Sequence, residues 1–196
     1  MTRLAGLTLY LVRHGECAHN LHRRIGAQDD TPLTEHGREQ ARANGRLLRQ
    51  MELDFTKLDF IASPLHRTCV TMELLRTEAA LDPLDYRADR RLMEINFGDD
   101  TGKTIREIAE RKIGGFGEAN WDYVRAHGES VAMAYERIGR FLDTLARDAV
   151  LVTHAGVIRL IRGHVLGLSR KDMLDHHPPN GGILRLAGGT EAYFAQ

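Results

Sequence analysis

Leu11-Val12-Arg13-His14-Gly15-Glu16 sets an arginine, a histidine and a glycine at the end of an apolar run. Each of the three suits phosphate chemistry. Arginine is a permanent cation whose planar fork matches phosphate oxygens in pairs. Histidine titrates near neutrality, so a neutral ring is available as nucleophile or base. Glycine lets the backbone turn sharply and a ligand approach closely. Three residues recur by chance, and the bland alternative is a surface turn with incidental charge. The case strengthens because Arg67, Glu94 and His154 lie further along in settings that suit the same site.

Arg67 falls in the first turn of an expected helix, where the macrodipole disfavours a cation by roughly 0.3–1 kcal/mol. A bound phosphate would reverse that sign, since guanidinium and free helix N–H groups would hold it together. His154 follows an apolar strand directly and opens another helix through Ala155-Gly156. Glu94 is flanked by apolar residues in Leu92-Met93-Glu94-Ile95. A neighbouring phosphate dianion would favour its protonated form and let it act as a general acid. The plainer alternatives are a solvated arginine, a structural histidine, and a carboxylate paired with Arg90 or Arg91.

These residues need elements to position them. Leu7–Val12 and Ala149–Thr153 are continuous apolar runs, as parallel strands covered on both faces require, and Leu58–Ser63 is a shorter candidate. A helix is expected from Glu35 to Met51 behind a Thr34 cap, its inner stripe of Gly37, Ala41, Gly45 and Leu48 lying close to a sheet. Ser63-Pro64 reads as the cap and first residue of a second helix, with Leu65, Cys69, Met72, Leu75 and Ala79 facing inward. Val131–Arg147 and Gly156–Leu166 are further helices, and Ile183–Leu186 and Ala192–Phe194 are late, edge-like strands. The alternation predicts a three-layer αβα fold around a mostly parallel sheet, with ligands beyond the strands' carboxyl ends. The stretch from Gly98 to Gly128, with Gly114-Gly115-Phe116-Gly117 inside it, fits no element and reads as an excursion or lid.

The 196 residues suffice for a single domain, 1–196, and the net charge of zero gives no overall field for nucleic acid or a membrane surface. Leu4–Val12 after Arg3 is too short for a signal-peptide core and runs into Arg13-His14, so a first strand is the better reading. Two cysteines are too few for a disulfide framework. A cytoplasmic protein is expected, with a small phosphomonoester as partner and neither nucleic acid nor membrane. His19, His22, His176 and His177 lack convincing metal-ligand spacing, and His176-His177-Pro178-Pro179 reads as an exposed loop. Arg23-Arg24 is a solvated pair or a contact for an acidic substrate.

The chain resembles the histidine phosphatase superfamily, the phosphoglycerate mutase-like clan. The matching blocks are Leu11–Glu16 with Asn20; Asp30-Thr31-Pro32-Leu33-Thr34 with Gly37 and Gln40-Ala41; Ser63-Pro64-Leu65-His66-Arg67-Thr68; Met93-Glu94-Ile95 with Phe97-Gly98; Gly128-Glu129-Ser130; and Thr153-His154-Ala155-Gly156-Val157-Ile158-Arg159. They follow the family's order along most of the chain. The resemblance implies that His14 is the nucleophile that becomes phosphohistidine and that Glu94 is the proton donor. It likewise implies a phosphate pocket of Arg13, Arg67 and His154 with Asn20 nearby. Phosphoryl transfer needs in-line positioning and charge stabilisation, which these groups would supply with neither metal nor cofactor.

Some positions depart from the family pattern. Cys17 stands where threonine or serine is usual; it is either small buried filler or, in a phosphate-binding field, an oxidant-sensitive thiol. Val70-Thr71-Met72 and Asp99-Asp100-Thr101-Gly102 also differ. The segment between Glu94 and His154 is short, which leaves the pocket open to water and favours a phosphatase. The alternatives are a 2,3-bisphosphoglycerate-dependent mutase and a non-catalytic phosphate- or phosphoprotein-binding module. Trp121 and Tyr123 would stack on a substrate ring or close the lid.

Overall fold

The computed structural model describes residues 6–110 and 117–195. Most of Gly114-Gly115-Phe116-Gly117, together with Arg3 and Leu4, therefore lies outside the described residues. In chain order the main elements are β1 (Leu9–Arg13), α1 (Ala18–Leu21), α2 (Glu35–Gln50), β2 (Asp59–Ala62), α3 (His66–Glu78), β3 (Arg87–Ala88), α4 (Ile105–Glu110) and α5 (Val131–Leu142). These are followed by β4 (Ala149–Thr153), α6 (Ala155–Leu166), α7 (Arg170–Leu174), β5 (Ile183–Ala187) and β6 (Thr190–Phe194). The six strands form one sheet in the order β3-β2-β4-β1-β5-β6. The pairs β1–β4, β4–β2 and β2–β3 are parallel, whereas β5 and β6 add on antiparallel. So β5 lies inside the sheet, and of the two late strands only β6 forms an edge.

Period-two alternation sorts the strand residues between two cores. Leu9, Leu11, Ile61, Ala149 and Leu151 face one side with α5 and α6 residues such as Ile138, Phe141, Leu160 and Ile161. Tyr10, Val12, Phe60, Ala62, Val150 and Val152 face the other, against Leu47 and Leu48 of α2 and Met72 and Leu75 of α3. Every residue of β4 is buried, as a central strand covered on both faces must be.

The register matters most for function. Arg13 of β1 is level with Thr153 of β4, and Val152 of β4 with Ala62 of β2. The residues that follow each strand therefore emerge side by side at the sheet's carboxyl edge, which brings segments around positions 14, 63 and 154 together.

Two boundaries and one packing contact differ from what the sequence predicts. Ser63 still pairs with β4 through its N–H to the Val152 carbonyl, 3.0 Å, so the helix begins later, at His66 with Leu65 as cap. The helix from Val131 stops at Leu142 because Thr144 and Leu145 fold back on the Phe141 and Leu142 carbonyls at 3.0 and 3.1 Å. In α2, Gly45 serves helix–helix contact instead of helix–sheet contact: an added Cβ would lie 2.3 Å from the Leu75 carbonyl oxygen of α3. Thr34 caps α2 as expected, accepting the Gly37 N–H.

Gly45→Ala should therefore destabilise the protein, by about 1–3 kcal/mol of overpacking, although alanine is the better helix former by about 1 kcal/mol. Urea unfolding checks this; an unchanged or raised midpoint would contradict the packing argument.

Candidate active site

At the carboxyl edge of β1, β4 and β2 a cavity of about 400 Å³ opens, lined among others by Arg13, His14, Asn20, Arg67, Glu94, Ala155 and Arg159. Five of the six expected site residues line it. The sixth, His154, lies one layer behind, fully buried.

His14 is 4% exposed and its N–H donates to the Thr153 carbonyl at 3.0 Å, so its backbone is an extension of the sheet. The ring Nδ1 lies 2.8 Å from the Gly15 carbonyl oxygen. A carbonyl can only accept, so Nδ1 carries the proton and Nε2 keeps the lone pair. Burial, with Arg67 and then Arg13 close by, holds the imidazole well below its ordinary titration range. His14 is thus a neutral base with one free nitrogen. Gly15 can only be glycine, because a Cβ there would stand 2.0 Å from the Gly37 carbonyl oxygen at the start of α2.

Arg67 projects from the first turn of α3 and is 2% exposed. Its Nη1 donates to the Asp29 carbonyl, its Nη2 to the Ala27 carbonyl at 2.6 Å, and Nη2 also lies 3.3 Å from His154 Nδ1. Ala27 adopts φ +39°, a conformation that L-residues rarely take, and it aims that carbonyl at the guanidinium. Arg13 Nη1 donates to the Pro178 carbonyl at 2.9 Å, while its Nε is buried without a hydrogen-bond partner. A buried donor left unmade is costly. Beside a cationic cavity it is a ready contact for an anion.

His154 completes this arrangement from behind. Its Nδ1 must accept from Arg67, so Nε2 carries the proton and donates to Ser63 Oγ at 2.8 Å. Its ring stands edge-on to His14 with centroids 5.2 Å apart. The hydroxyl expected to cap α3 thus orients His154, and both ring nitrogens are engaged within the protein. Burial, followed by Arg67 and His14, pushes its titration well below the ordinary range. The helix that it opens, α6, directs its first turn at the cavity, where Ala155 and Gly156 form part of the wall.

Glu94 pairs with neither Arg90 nor Arg91; Asp89 takes Arg91 at 2.6 Å. Glu94 Oε1 accepts from the Ile95 N–H at 3.0 Å and Oε2 from the Gly156 N–H at 3.2 Å. Glycine at 156 makes room for it, since a Cβ would lie 2.4 Å from Oε1. The Glu94 carbonyl is itself held by Gln28 Nε2 at 3.0 Å.

Asn20 Oδ1 accepts from the Cys17 N–H and Sγ–H, both at 3.2 Å, and from Asn180 Nδ2 at 3.3 Å. With its oxygen held on that side, its NH₂ is the group available to the cavity. Asn180 Nδ2 also donates to the His14 carbonyl at 2.9 Å. Sequence reasoning missed Asn180 because nothing local marks an asparagine after two prolines. That same loop is not simply exposed. Pro178 is buried, its carbonyl holds Arg13, and the His176 carbonyl holds Arg159 Nε. The departure at Val70-Thr71-Met72 also gains a role: Thr71 Oγ1 accepts the Gly15 N–H at 3.2 Å and donates to the Arg67 carbonyl at 2.7 Å. Of the remaining histidines, His19 pairs with Asp29 at 3.0 Å and His177 lines the cavity. Trp121 is buried against Tyr135 and under Arg170, so it packs the excursion, whereas Tyr123 is exposed; neither lines the cavity. No helix among the described residues is long and apolar enough to cross a membrane.

Asn180→Ala should raise the inhibition constant of vanadate about tenfold, the usual scale for one hydrogen bond to a charged or site group, with a smaller loss of stability. An unchanged vanadate constant beside an equal thermal shift would leave Asn180 a merely structural residue.

Comparison with known proteins identifies the family. The model of the histidine phosphatase superfamily (branch 1) matches residues 9–193. "Probable phosphoglycerate mutase GpmB" of Escherichia coli O1:K1 is 32% identical over 177 residues, 83% of this chain and 76% of that protein. The Rv3214 protein of Mycobacterium tuberculosis superposes with a TM-score of 0.79 at 26% identity, covering 96% of each chain. TTHB049 from Thermus thermophilus does so with a TM-score of 0.67 at 30% identity, covering 91% of this chain and 92% of its own. Family match, sheet topology and the placement of the motif residues converge, and the chain belongs to the histidine phosphatase superfamily.

Proposed function

We propose that this protein is a phosphomonoesterase working through a phosphohistidine on His14. One observation carries the reading: the Gly15 carbonyl fixes the Nδ1–H tautomer of His14, so the lone pair at Nε2 stands beside two buried guanidinium groups. A nucleophile that is neutral and oriented in a cationic pocket is what phosphoryl transfer requires.

In the first half-reaction the phosphate's non-bridging oxygens take hydrogen bonds from Arg13, Arg67, Asn20 and the first turn of α6. His14 Nε2 attacks phosphorus in line, the P–N bond forms, and the P–O bond to the alcohol breaks. Glu94 gives its proton to the departing oxygen. In the second half Glu94 takes a proton from water, whose oxygen attacks phosphorus; the P–N bond breaks, its electron pair returns to His14 Nε2, and inorganic phosphate leaves. His154 acts through Arg67 and His14, holding one and backing the other.

A mutase reading has one observation in its favour, the name carried by the Escherichia coli relative. Returning the phosphoryl group demands that a small anionic product be held in place. Beside its cations, however, much of this cavity's wall is apolar, with Ile25, Ala27, Phe97, Ile108 and Leu174. Those five side chains offer no hydrogen bonds to such a product, which favours transfer to water. A purely phosphate-binding module would need neither the oriented nitrogen of His14 nor Glu94.

His14→Ala should abolish release of phosphate from p-nitrophenyl phosphate and the acid-labile label on the protein. Glu94→Gln should slow an alkyl phosphate about a hundredfold or more, the scale of general-acid catalysis, and p-nitrophenyl phosphate far less, because nitrophenolate leaves unaided. Equal losses on both esters, or sustained 3- to 2-phosphoglycerate conversion with little phosphate release, would refute the assignment.

A further inference from the structure

The cavity wall is of two kinds. Arg13, His14 and Arg67 form its phosphate end, Arg24, Arg159, Asp175 and His177 also line it, and Ile25, Ala27, Phe97, Ile108 and Leu174 form an apolar collar. The collar is assembled from distant segments: the loop after α1, the segment following Glu94, α4 from the excursion, and α7. Most of its members are buried. Ile108 is 3%, Leu174 4% and Phe97 7% exposed, and Phe97 is backed by the Arg125 guanidinium at 4.4 Å from its ring centre. Of the further cations in the wall, Arg24 donates to the Gly102 carbonyl at 2.8 Å and Arg159 Nε to that of His176.

We infer that the alcohol half of the substrate is apolar, an aryl or alkyl group seated in the collar of Ile25, Phe97, Ile108 and Leu174, and not a polyol or hydroxy acid. The inference rests on the reading of the cavity as a phosphomonoester site. With the phosphate held by Arg13, Arg67 and Asn20, an alcohol seated in the collar lies against side chains that neither donate nor accept hydrogen bonds. Hydroxyls or a carboxylate there lose water without replacement, whereas methylene or ring carbons gain by leaving it. Size points the same way. A cavity of about 400 Å³ falls within the range of sites that enclose ring-sized ligands, and a three-carbon acid would leave much of it unfilled. The excursion from 98 to 128 thereby gains a function: through Ile108 it supplies one wall of the specificity collar.

The test uses calorimetry with the whole protein, so that binding is read independently of leaving-group chemistry and turnover. The probes are methylphosphonate, 3-phenylpropylphosphonate and 3-phosphonopropionate. The phenylpropyl compound should bind at least about tenfold more tightly than either of the others. Ile108→Ser and Leu174→Ser should each reduce that preference severalfold, while Ile108→Val keeps it and thermal melts confirm that each variant is folded. Equal binding of all three probes, tighter binding of the carboxylate, or a preference that survives both serine variants would overturn the inference. In those cases loss of methylphosphonate binding in Arg67→Ala would leave the phosphate site itself standing. If methylphosphonate binds with no dependence on Arg67, the reading of the site fails and this inference with it.

Discussion

Two buried guanidinium groups set the terms for everything around them. Neither Arg13 nor Arg67 forms an ion pair among the described residues; their partners are the carbonyls of Pro178, Ala27 and Asp29 and one imidazole. Burying charge against partial dipoles is unfavourable unless geometry is well fixed. Much of the surrounding structure serves that fixing: the left-handed turn at Ala27, the 175–180 loop, Ser63 behind His154, and Thr71 between the first loop and α3. An anion arriving in the cavity meets charges already in position, so little reorganisation accompanies the chemistry.

Burial and the same two cations decide the state of the nucleophile. Desolvation and positive charge both penalise imidazolium, and the Gly15 carbonyl selects which nitrogen carries the remaining proton. Neutrality and orientation thus follow from separate causes, one electrostatic and one geometric. Sheet register links them, because His14 and His154 follow paired residues of β1 and β4. A slip of one residue would send these side chains to the opposite face and dismantle the site.

Much of this was legible in the residues. Continuous apolar strands, the Thr34 cap and the strand-end placement of Arg13, His14 and His154 depend on local pattern, and the structure has them. What escaped was set by contacts between distant segments. Ser63-Pro64 carries the signature of a helix cap, but pairing with β4 and the demand of His154 took Ser63 for other purposes. His154 looks from its position like a phosphate ligand, and only the three-dimensional arrangement shows both its nitrogens already engaged. Asn180 has no local signal at all, since its role is defined by the carbonyl of a residue 166 positions away. Small residues in α2 announced close packing without saying against what.

The most direct measurement is the nitrogen-15 spectrum of histidine-labelled protein, with His14 assigned by substitution and followed from neutral pH to about one unit below the ordinary histidine midpoint near 6.5. His14 should stay neutral throughout, with a protonated Nδ1 and a pyridine-like Nε2. An imidazolium within that range, or a proton on Nε2 in the neutral ring, would contradict this.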